Sequence, residues 1–147
     1  MGRFASGITV ITTREESGRD HGMTASAFSS LSLDPPLLLV CIANDATIAP
    51  VLAKAETFAV NILADAQEPL SRRFAGKLDD RFAGIGYTRG PLDDVLLDDV
   101  LAWMQCRVVA RHPAGDHVIL VGHVEFADAR DARPLLYYRG GYAQLER

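Results

Sequence analysis

The sequence predicts one mainly β domain with two short helices, folded as a largely antiparallel barrel. The chain has 147 residues, of which 48% are hydrophobic and 23% charged, a profile typical of a single globular domain. Six or seven short segments have the length and composition of strands, and only two have helical spacing. The strand–helix–strand alternation of a doubly wound sheet is missing, which favours the antiparallel barrel.

The first third of the chain predicts a hairpin followed by a buried strand. Residues 8–13 are rich in β-branched side chains, residues 14–20 have the polar composition of a turn, and residues 22–28 supply the second strand. Two prolines at residues 35–36 exclude a central strand at that point. The continuous apolar run at residues 37–42 is typical of a strand buried on both faces.

The middle of the chain predicts two helices around one strand. Residues 47–55 have apolar side chains at helical spacing, and Thr47 is suited to the N-cap position. Residues 58–63 read as a strand, and residues 67–77 as a helix with one apolar side.

The last third predicts an irregular stretch and three strands. Residues 79–99 contain glycines, a proline and six aspartates, too many breakers for a long element. Strands are expected at residues 102–111, 117–127 and 134–138, with a turn at residues 112–116 between the first two. The middle strand places on one face Val118, Leu120, Gly122, Val124 and Phe126.

Charge and composition exclude several classes of function. The formal net charge is −4 and the pI is near 5.5, which argues against sequence-independent binding to nucleic acid or to an anionic membrane. No apolar run reaches the roughly 18 residues of a transmembrane helix, and the first residues lack the apolar core of a signal peptide. We therefore expect a cytoplasmic protein in which Cys41, Cys106 and four scattered histidines form no metal site.

The most unusual segment is residues 24–32, where five hydroxyl side chains and two alanines surround one aromatic ring. Small residues let a flat ligand approach the main chain, and hydroxyls with free amide groups suit a heterocycle that alternates donors and acceptors. A serine-rich turn between strands explains the same composition. From the residues alone, both interpretations stand.

Three further features could contact a charged or polar ligand. A helix that begins at Thr47 would offer free N–H groups to an anion, or Thr47 could act only as its cap. His117 follows a Gly-Asp turn and could touch a polar substrate or be structural. Without a G-x-S-x-G motif or a carboxylate spaced to pair with His117, a hydrolase is disfavoured. A basic group, available to phosphate or simply solvated, comprises Ser71, Arg72, Arg73, Lys77 and Arg81.

Six blocks occur in compact order along almost the whole chain. They are FASGITVITT at residues 4–13, HGMTASAF at 21–28, SLSLDPP at 30–36, FAVNIL at 58–63, LSRRFA at 70–75 and GDH at 115–117. Each block alone is weak evidence. Together they resemble the flavin reductase family of the FMN-binding split barrel, the small reductase components of two-component flavin monooxygenases.

The resemblance implies that residues 1–147 form one domain, and that two chains form a homodimer of Greek-key split β-barrels with flavin near the interface. The implied activity is reduction of FMN or FAD by NADH or NADPH, with reduced flavin passed to a partner monooxygenase. Hydride moves from nicotinamide C4 to flavin N5, while the protein stacks and orients the rings. The choice of flavin stays open because Asp45 places a carboxylate in the phosphate loop, and no arginine identifies the nucleotide.

The resemblance also implies which residues bind. Main-chain amides of residues 26–30 could stabilise the charge on reduced flavin. The implied flavin contacts are Thr24, Ala25, Ser26, Ala27, Phe28, Ser30, Leu31, Cys41, Asp45, Ala46, Thr47, Ser71, Phe74 and Ala75. The implied contacts to the nicotinamide nucleotide are His117, Gly140, Gly141 and Tyr142. Among these, His117 is expected to affect turnover most.

Three alternatives remain at the level of the sequence. A flavin-binding carrier would share the fold without reacting with NAD(P)H. An oxidase similar to pyridoxamine-phosphate oxidase would need a denser basic cluster than Arg72, Arg73 and Lys77 offer. A barrel that only mediates protein contacts would bind no flavin. The Gly-Asp-His block at residues 115–117 favours the reductase.

Overall fold

Strands dominate the computed structural model, which describes residues 1–146. The strands are β1 (Ser6–Gly7), β2 (Thr9–Arg14), β3 (Asp20–Ala25), β4 (Phe28–Leu33), β5 (Pro36–Ala43), β6 (Thr57–Ile62), β7 (Tyr87–Arg89), β8 (Val95–Leu97), β9 (Ala102–Ala114), β10 (His117–Ala129), β11 (Leu135–Tyr138) and β12 (Gly141–Gln144). The helices are α1 (Ala49–Leu52) and α2 (Glu68–Ala75), the latter preceded by a 3-10 turn at Asp65–Gln67.

Seven strands form one antiparallel sheet in the order β3-β2-β6-β9-β10-β5-β4. Strands β3 and β4 lie at opposite edges of this order, yet only Ser26 and Ala27 separate them along the chain. The sheet must therefore curl until its edges meet, and the Cys41 N–H donates to the Ala27 carbonyl at this corner, at 2.9 Å. The barrel is split where β3 passes to β4, which confirms the predicted mainly β, Greek-key split barrel.

The first core cluster fills the inside of the barrel, where alternate residues of the strands point inward. Ile11, Val40 and Phe58 are fully buried there, and Leu52 of α1 packs against them. A Cβ at Gly122 would lie 2.6 Å from Cζ of Phe58, so the absence of a side chain on β10 makes room for this ring.

A second core cluster packs against the outside of the sheet. It contains Val10 of β2, Phe74 of α2 and Leu97 of β8. On this side the barrel is covered by α2, by the β7–β8 hairpin and by the three-stranded sheet β1-β11-β12. On β5 and β10, by contrast, the outward-facing Leu39 and Ile119 are only half-buried.

The prediction that residues 37–42 are buried on both faces is wrong. Burial alternates along β5: Leu38, Val40 and Ile42 are buried, whereas Leu39 and Cys41 are half-buried. Only one face of the strand meets the first core cluster, so an apolar side chain at every position does not mean burial at every position.

Both predicted helices are shorter than expected. The helix predicted at residues 47–55 is the single turn α1, and its N-cap is Ile48 without a side-chain cap bond, so the prediction for Thr47 as a cap is wrong. Pro50 lies in the first turn, where a proline is compatible with the start of a helix. The helix ends at Leu52, and β6 begins soon afterwards at Thr57. The helix predicted at residues 67–77 ends where Gly76 adopts an extended conformation.

Several strand boundaries also differ from the predictions. Residues 29–32 belong to β4, which lies at the edge of the sheet. Most of its residues are exposed, so serines are compatible with this strand. The stretch predicted to be irregular contains the β7–β8 hairpin, held down by the burial of β8. The turn between β9 and β10 is only Gly115 and Asp116, with Gly115 at φ 63°. A bulge between Val124 and Phe126 turns Phe126 away from the inward face, so Phe126 does not share a face with Val124 as predicted. Strand β12 has no counterpart among the predicted strands.

Candidate functional site

The connection between β3 and β4 exposes the predicted flavin segment. We call residues 26–30 the seam. Ser26, Ala27 and Ser30 are exposed, while Phe28 is half-buried and packs against the first core cluster. Cys41 lies beside the seam, because its N–H donates to the Ala27 carbonyl. The seam therefore offers a flat ligand exposed small and hydroxyl residues.

Leu31 and the end of β3 extend this surface in both directions. Leu31 is 50% exposed, at a bulge in the pairing of β4 with β5. Thr24 and Ala25 end β3 and are half-buried. The residues predicted from 24 to 31 thus form one continuous stretch at the split of the barrel.

His117 lies on the same sheet as the seam. It is the Cα partner of Ala43, and Ile119 is the partner of Cys41, so His117 is two residues, about 7 Å, further along the strand pair. The loop at residues 45–47 is next to it, since Asn44 N–H donates to the Asp116 carbonyl at 2.9 Å. The structure therefore brings the predicted loop and His117 together.

The His117 imidazole is oriented by its neighbour in sequence. Nδ1 of His117 lies 2.6 Å from Oδ1 of Asp116, and 44% of the His117 side chain is exposed. The hydrogen bond to His117 holds the pKa of the Asp116 carboxyl below its usual value. An anionic Asp116 favours the tautomer with the proton on Nδ1, which leaves Nε2 as the acceptor in the neutral ring.

Two residues predicted on α2 are buried inside the protein. Ser71 and Phe74 are both 0% exposed, so their side chains do not reach a ligand in this conformation. The Phe74 ring packs below β3, where a Cβ at Gly22 would lie 2.7 Å from it, and edge-on to Phe82 at 5.1 Å. Ala75 is exposed at the end of the helix. Ser71 and Phe74 therefore pack within the protein next to β3, and they do not line a surface that a cofactor could contact.

Ser71 joins two other predicted site residues. The Thr24 hydroxyl donates to the Ser71 carbonyl at 2.7 Å, and the Ser71 hydroxyl is 2.8 Å from the Tyr142 hydroxyl. Gly140 occupies the β11–β12 turn at φ 78°, a conformation that favours glycine, and Gly141 begins β12. The nucleotide residues predicted at the end of the chain therefore lie on a hairpin that is tied to β3 through α2.

A cavity of about 700 Å³ opens at the beginning of β3. Thr47 is the predicted flavin residue that lines it. Lys77, which has no hydrogen-bond or ion-pair partner in the described chain, lines it as well, and so do the aromatic rings of Phe82 and Tyr87. Nε2 of His21 is buried and lies 3.5 Å from Oε2 of Glu15, so it already faces a carboxylate of the protein. Three carboxylates, Asp20, Asp79 and Asp80, also line the cavity and balance its three cations, so only the part around Lys77 and the two rings suits a phosphate with an adjoining ring.

The predicted basic group does not act as a unit. Arg81 lines the cavity but donates to the carbonyls of Gly22 and Phe74, and Arg73 donates to the Arg81 carbonyl. Arg72 is paired with Glu68. Of the predicted set, Lys77 is the cation left for a ligand. The rings of Phe82 and Tyr87 fall in residues 79–99, where the many glycines and aspartates predict no regular element, and nothing in the sequence places His21 beside them.

Comparison with known protein families identifies the relatives of this chain. A family model described as "Flavin reductase like domain" matches residues 1–146. The chain belongs to the flavin reductase family. Among relatives, it is 44% identical over 142 residues to the stachydrine N-demethylase reductase subunit of Rhizobium meliloti, covering 97% of this chain and 62% of that protein. It is 45% identical over 150 residues to an NADH-dependent flavin reductase of a Rhodococcus species, covering 99% and 83% respectively.

Solved structures of flavin reductases share the fold. The Streptomyces globisporus NADH:FAD oxidoreductase, solved in complex with NAD and FAD fragments, matches with a TM-score of 0.94 at 32% identity, covering 99% of this chain and 88% of that one. The resemblance predicted from the six sequence blocks is thereby confirmed. Within residues 1–146, no helix is long and apolar enough to span a membrane, and no cluster of three or more potential metal ligands occurs.

Proposed function

We propose that this member of the flavin reductase family uses NADH or NADPH to reduce FMN or FAD and passes the reduced flavin to a partner monooxygenase. The observation that carries the proposal is the seam, whose exposed small and hydroxyl residues lie beside the sheet that carries His117. The Rhizobium relative is named as a reductase subunit, which supports a second, oxygenating component.

The flavin ring is proposed to lie on the seam. Ser26, Ala27 and Ser30 would contact it, with Cys41 and Leu31 at its sides. Main-chain N–H groups in this stretch can stabilise negative charge at one edge of the ring. Bound flavin supplies the hydride acceptor, and the residues of the seam fix its orientation.

The phosphate of the flavin is proposed to lie in the cavity near Lys77. The loop containing Asp45, Ala46 and Thr47 would follow the ribityl chain between the two places. Gly22, which lines the cavity, is four residues from Ser26, about 13 Å along an extended chain, and a flavin nucleotide can bridge this distance. Lys77 is a free cation for the phosphate, and Thr47 adds a hydroxyl.

His117, Gly140, Gly141 and Tyr142 are proposed to bind the nicotinamide nucleotide. His117 presents a half-exposed imidazole whose Nδ1 lies 2.6 Å from the exposed Asp116 carboxylate. Its part is to place the nicotinamide over the flavin ring, since hydride transfer needs close approach and alignment rather than a general base.

The protein is proposed to form a homodimer through the outer face of β5 and β10. Leu39, Cys41 and Ile119 lie there half-buried, and Val109 is 53% exposed on the adjoining strand. The second core cluster covers the other half of the barrel but not this half. A second copy would bury this apolar face and bring two seams to one interface.

We propose that residues 1–147 form a single flavin reductase-like domain, of which Arg147 lies outside the described residues. In the described chain, both core clusters pack on the same seven-stranded sheet, and the two smaller sheets lie against it, which supports a single unit. The two cysteines are unpaired, and a reducing compartment such as the cytoplasm suits them.

The direct test is oxidation of NADH and of NADPH by the purified protein with FMN, FAD or riboflavin added. Saturable oxidation with one flavin supports the reductase and identifies both preferences. Flavin binding without oxidation would support the carrier instead. If neither binding nor oxidation occurs with any pair, the proposal is wrong.

A further inference from the structure

Ser71 makes two separate hydrogen bonds that join three distant segments of the chain. Its carbonyl accepts a hydrogen bond from the Thr24 hydroxyl at 2.7 Å, and its own hydroxyl lies 2.8 Å from that of Tyr142. The side chain is 0% exposed. The Ser71 hydroxyl is therefore used within the protein, between the strand that leads to the seam and the β11–β12 hairpin.

The Tyr142 ring is held on its other sides as well. The Arg72 guanidinium carbon lies 4.8 Å from the centre of the ring, and Glu68 fixes that guanidinium through a 2.8 Å hydrogen bond. Tyr137, opposite on β11, contacts the ring edge-on at 5.6 Å. The ring is half-buried and can contact a ligand only in the orientation that these neighbours impose.

We infer that Ser71 is a positioning residue for the nicotinamide nucleotide, acting through the Tyr142 hydroxyl rather than by touching either ligand. The inference rests on the proposed function, in which Tyr142 binds the nucleotide and the seam binds the flavin. Because the bond to Thr24 uses the Ser71 main chain, Ser71→Ala removes only the bond to Tyr142. Loss of this hydroxyl should therefore affect the nucleotide and spare the flavin.

The test is a double-mutant cycle with Ser71→Ala and Tyr142→Phe. The dissociation constant of NADH is measured by titration of the flavin-free protein, and that of the flavin by the change in flavin fluorescence. We expect either single variant to bind NADH about three- to tenfold more weakly, the value of one hydrogen bond, with flavin affinity unchanged within about twofold. The double variant should bind no more weakly than the weaker single variant, because both remove the same bond.

Thr13→Val is the matched control. Thr13 is buried, and its hydroxyl donates to the Thr57 carbonyl at 2.9 Å, so the variant also loses one buried hydroxyl bond but does not touch β12. It should lower the melting temperature as Ser71→Ala does and leave the NADH affinity unchanged.

Three results would overturn the inference. They are a wild-type NADH affinity in Ser71→Ala, an equal weakening of flavin and NADH in that variant, or additive effects in the double variant. If Ser71→Ala does not fold, Tyr142→Phe alone still tests the bond. Wild-type protein that neither binds NADH nor oxidises it in the presence of FMN or FAD would instead refute the proposed function, so the two failures are distinguishable.

Discussion

Asp94 carries a buried carboxylate that should make the folded protein less stable as the pH rises towards neutral. The residue lies just before β8 and is 1% exposed, and its Oδ2 has no hydrogen-bond partner in the described chain. Burial raises the pKa of Asp94 from 3.8 to about 6, although the neighbouring side chains of Thr57 and Gln105 oppose the rise. The charged form is therefore disfavoured where most aspartates are ionised.

The sign and size of the effect follow from proton linkage. The folded chain holds the Asp94 proton more tightly than the unfolded chain, so this group favours folding at low pH. Its contribution declines as the pH rises from about 4 to about 6 and is constant above that range. The shift in pKa corresponds to about 3 kcal/mol, of which about 2 kcal/mol falls between about pH 4.5 and about pH 7.5.

Urea unfolding of the wild type and of Asp94→Asn across this pH range measures the contribution. The amide stays neutral at every pH. The difference in free energy of unfolding, variant minus wild type, should therefore increase by about 2 kcal/mol from about pH 4.5 to about pH 7.5. Asp93→Asn, the same change at an exposed neighbour, is the control and should show little pH dependence relative to the wild type. A difference between Asp94→Asn and wild type that does not vary with pH would refute the reasoning.

Three further predictions concern the site and the packing around it. His117→Ala removes the imidazole that Asp116 orients, and kcat/KM for NADH should fall by about tenfold or more; unchanged steady-state kinetics would contradict its role. Gly22→Ala places a Cβ 2.7 Å from the buried Phe74 ring and should cost about 1–3 kcal/mol in unfolding experiments, whereas Gly7→Ala, which enters open space, should be nearly neutral. Ile119→Asp puts a charge on the outer face of β10, and sedimentation velocity should show monomers; a dimer that persists would argue against that interface.

Local composition predicted the inner strands of the barrel but not its edges. The β-branched run in β2 and the apolar run in β5 identify strands because both must fill one core. Strand β4 was missed, because serines on an edge strand look like a turn. Strand β12 was missed because Tyr142 is held by packing on α2, and that contact has no signature in the four residues of the strand.

The candidate site was predictable where one segment supplies it. The hydroxyl-rich composition of the seam is visible in the sequence, and so is the Gly-Asp-His turn before β10. The connection through Ser71 was not predictable, since Thr24 lies 47 positions before Ser71 in the sequence and Tyr142 lies 71 positions after it. The half-buried face of β5 was misread because apolar character shows that a face must be covered, but not whether this chain or another copy covers it.

The most direct test of the account is the rate of nicotinamide oxidation by the purified protein with each flavin, followed by the loss of absorbance of the reduced nicotinamide. We expect saturable, enzyme-dependent oxidation with FMN or FAD, which falls in His117→Ala while flavin still binds. Absence of oxidation with every pairing of nucleotide and flavin, in folded protein that binds flavin, would contradict it.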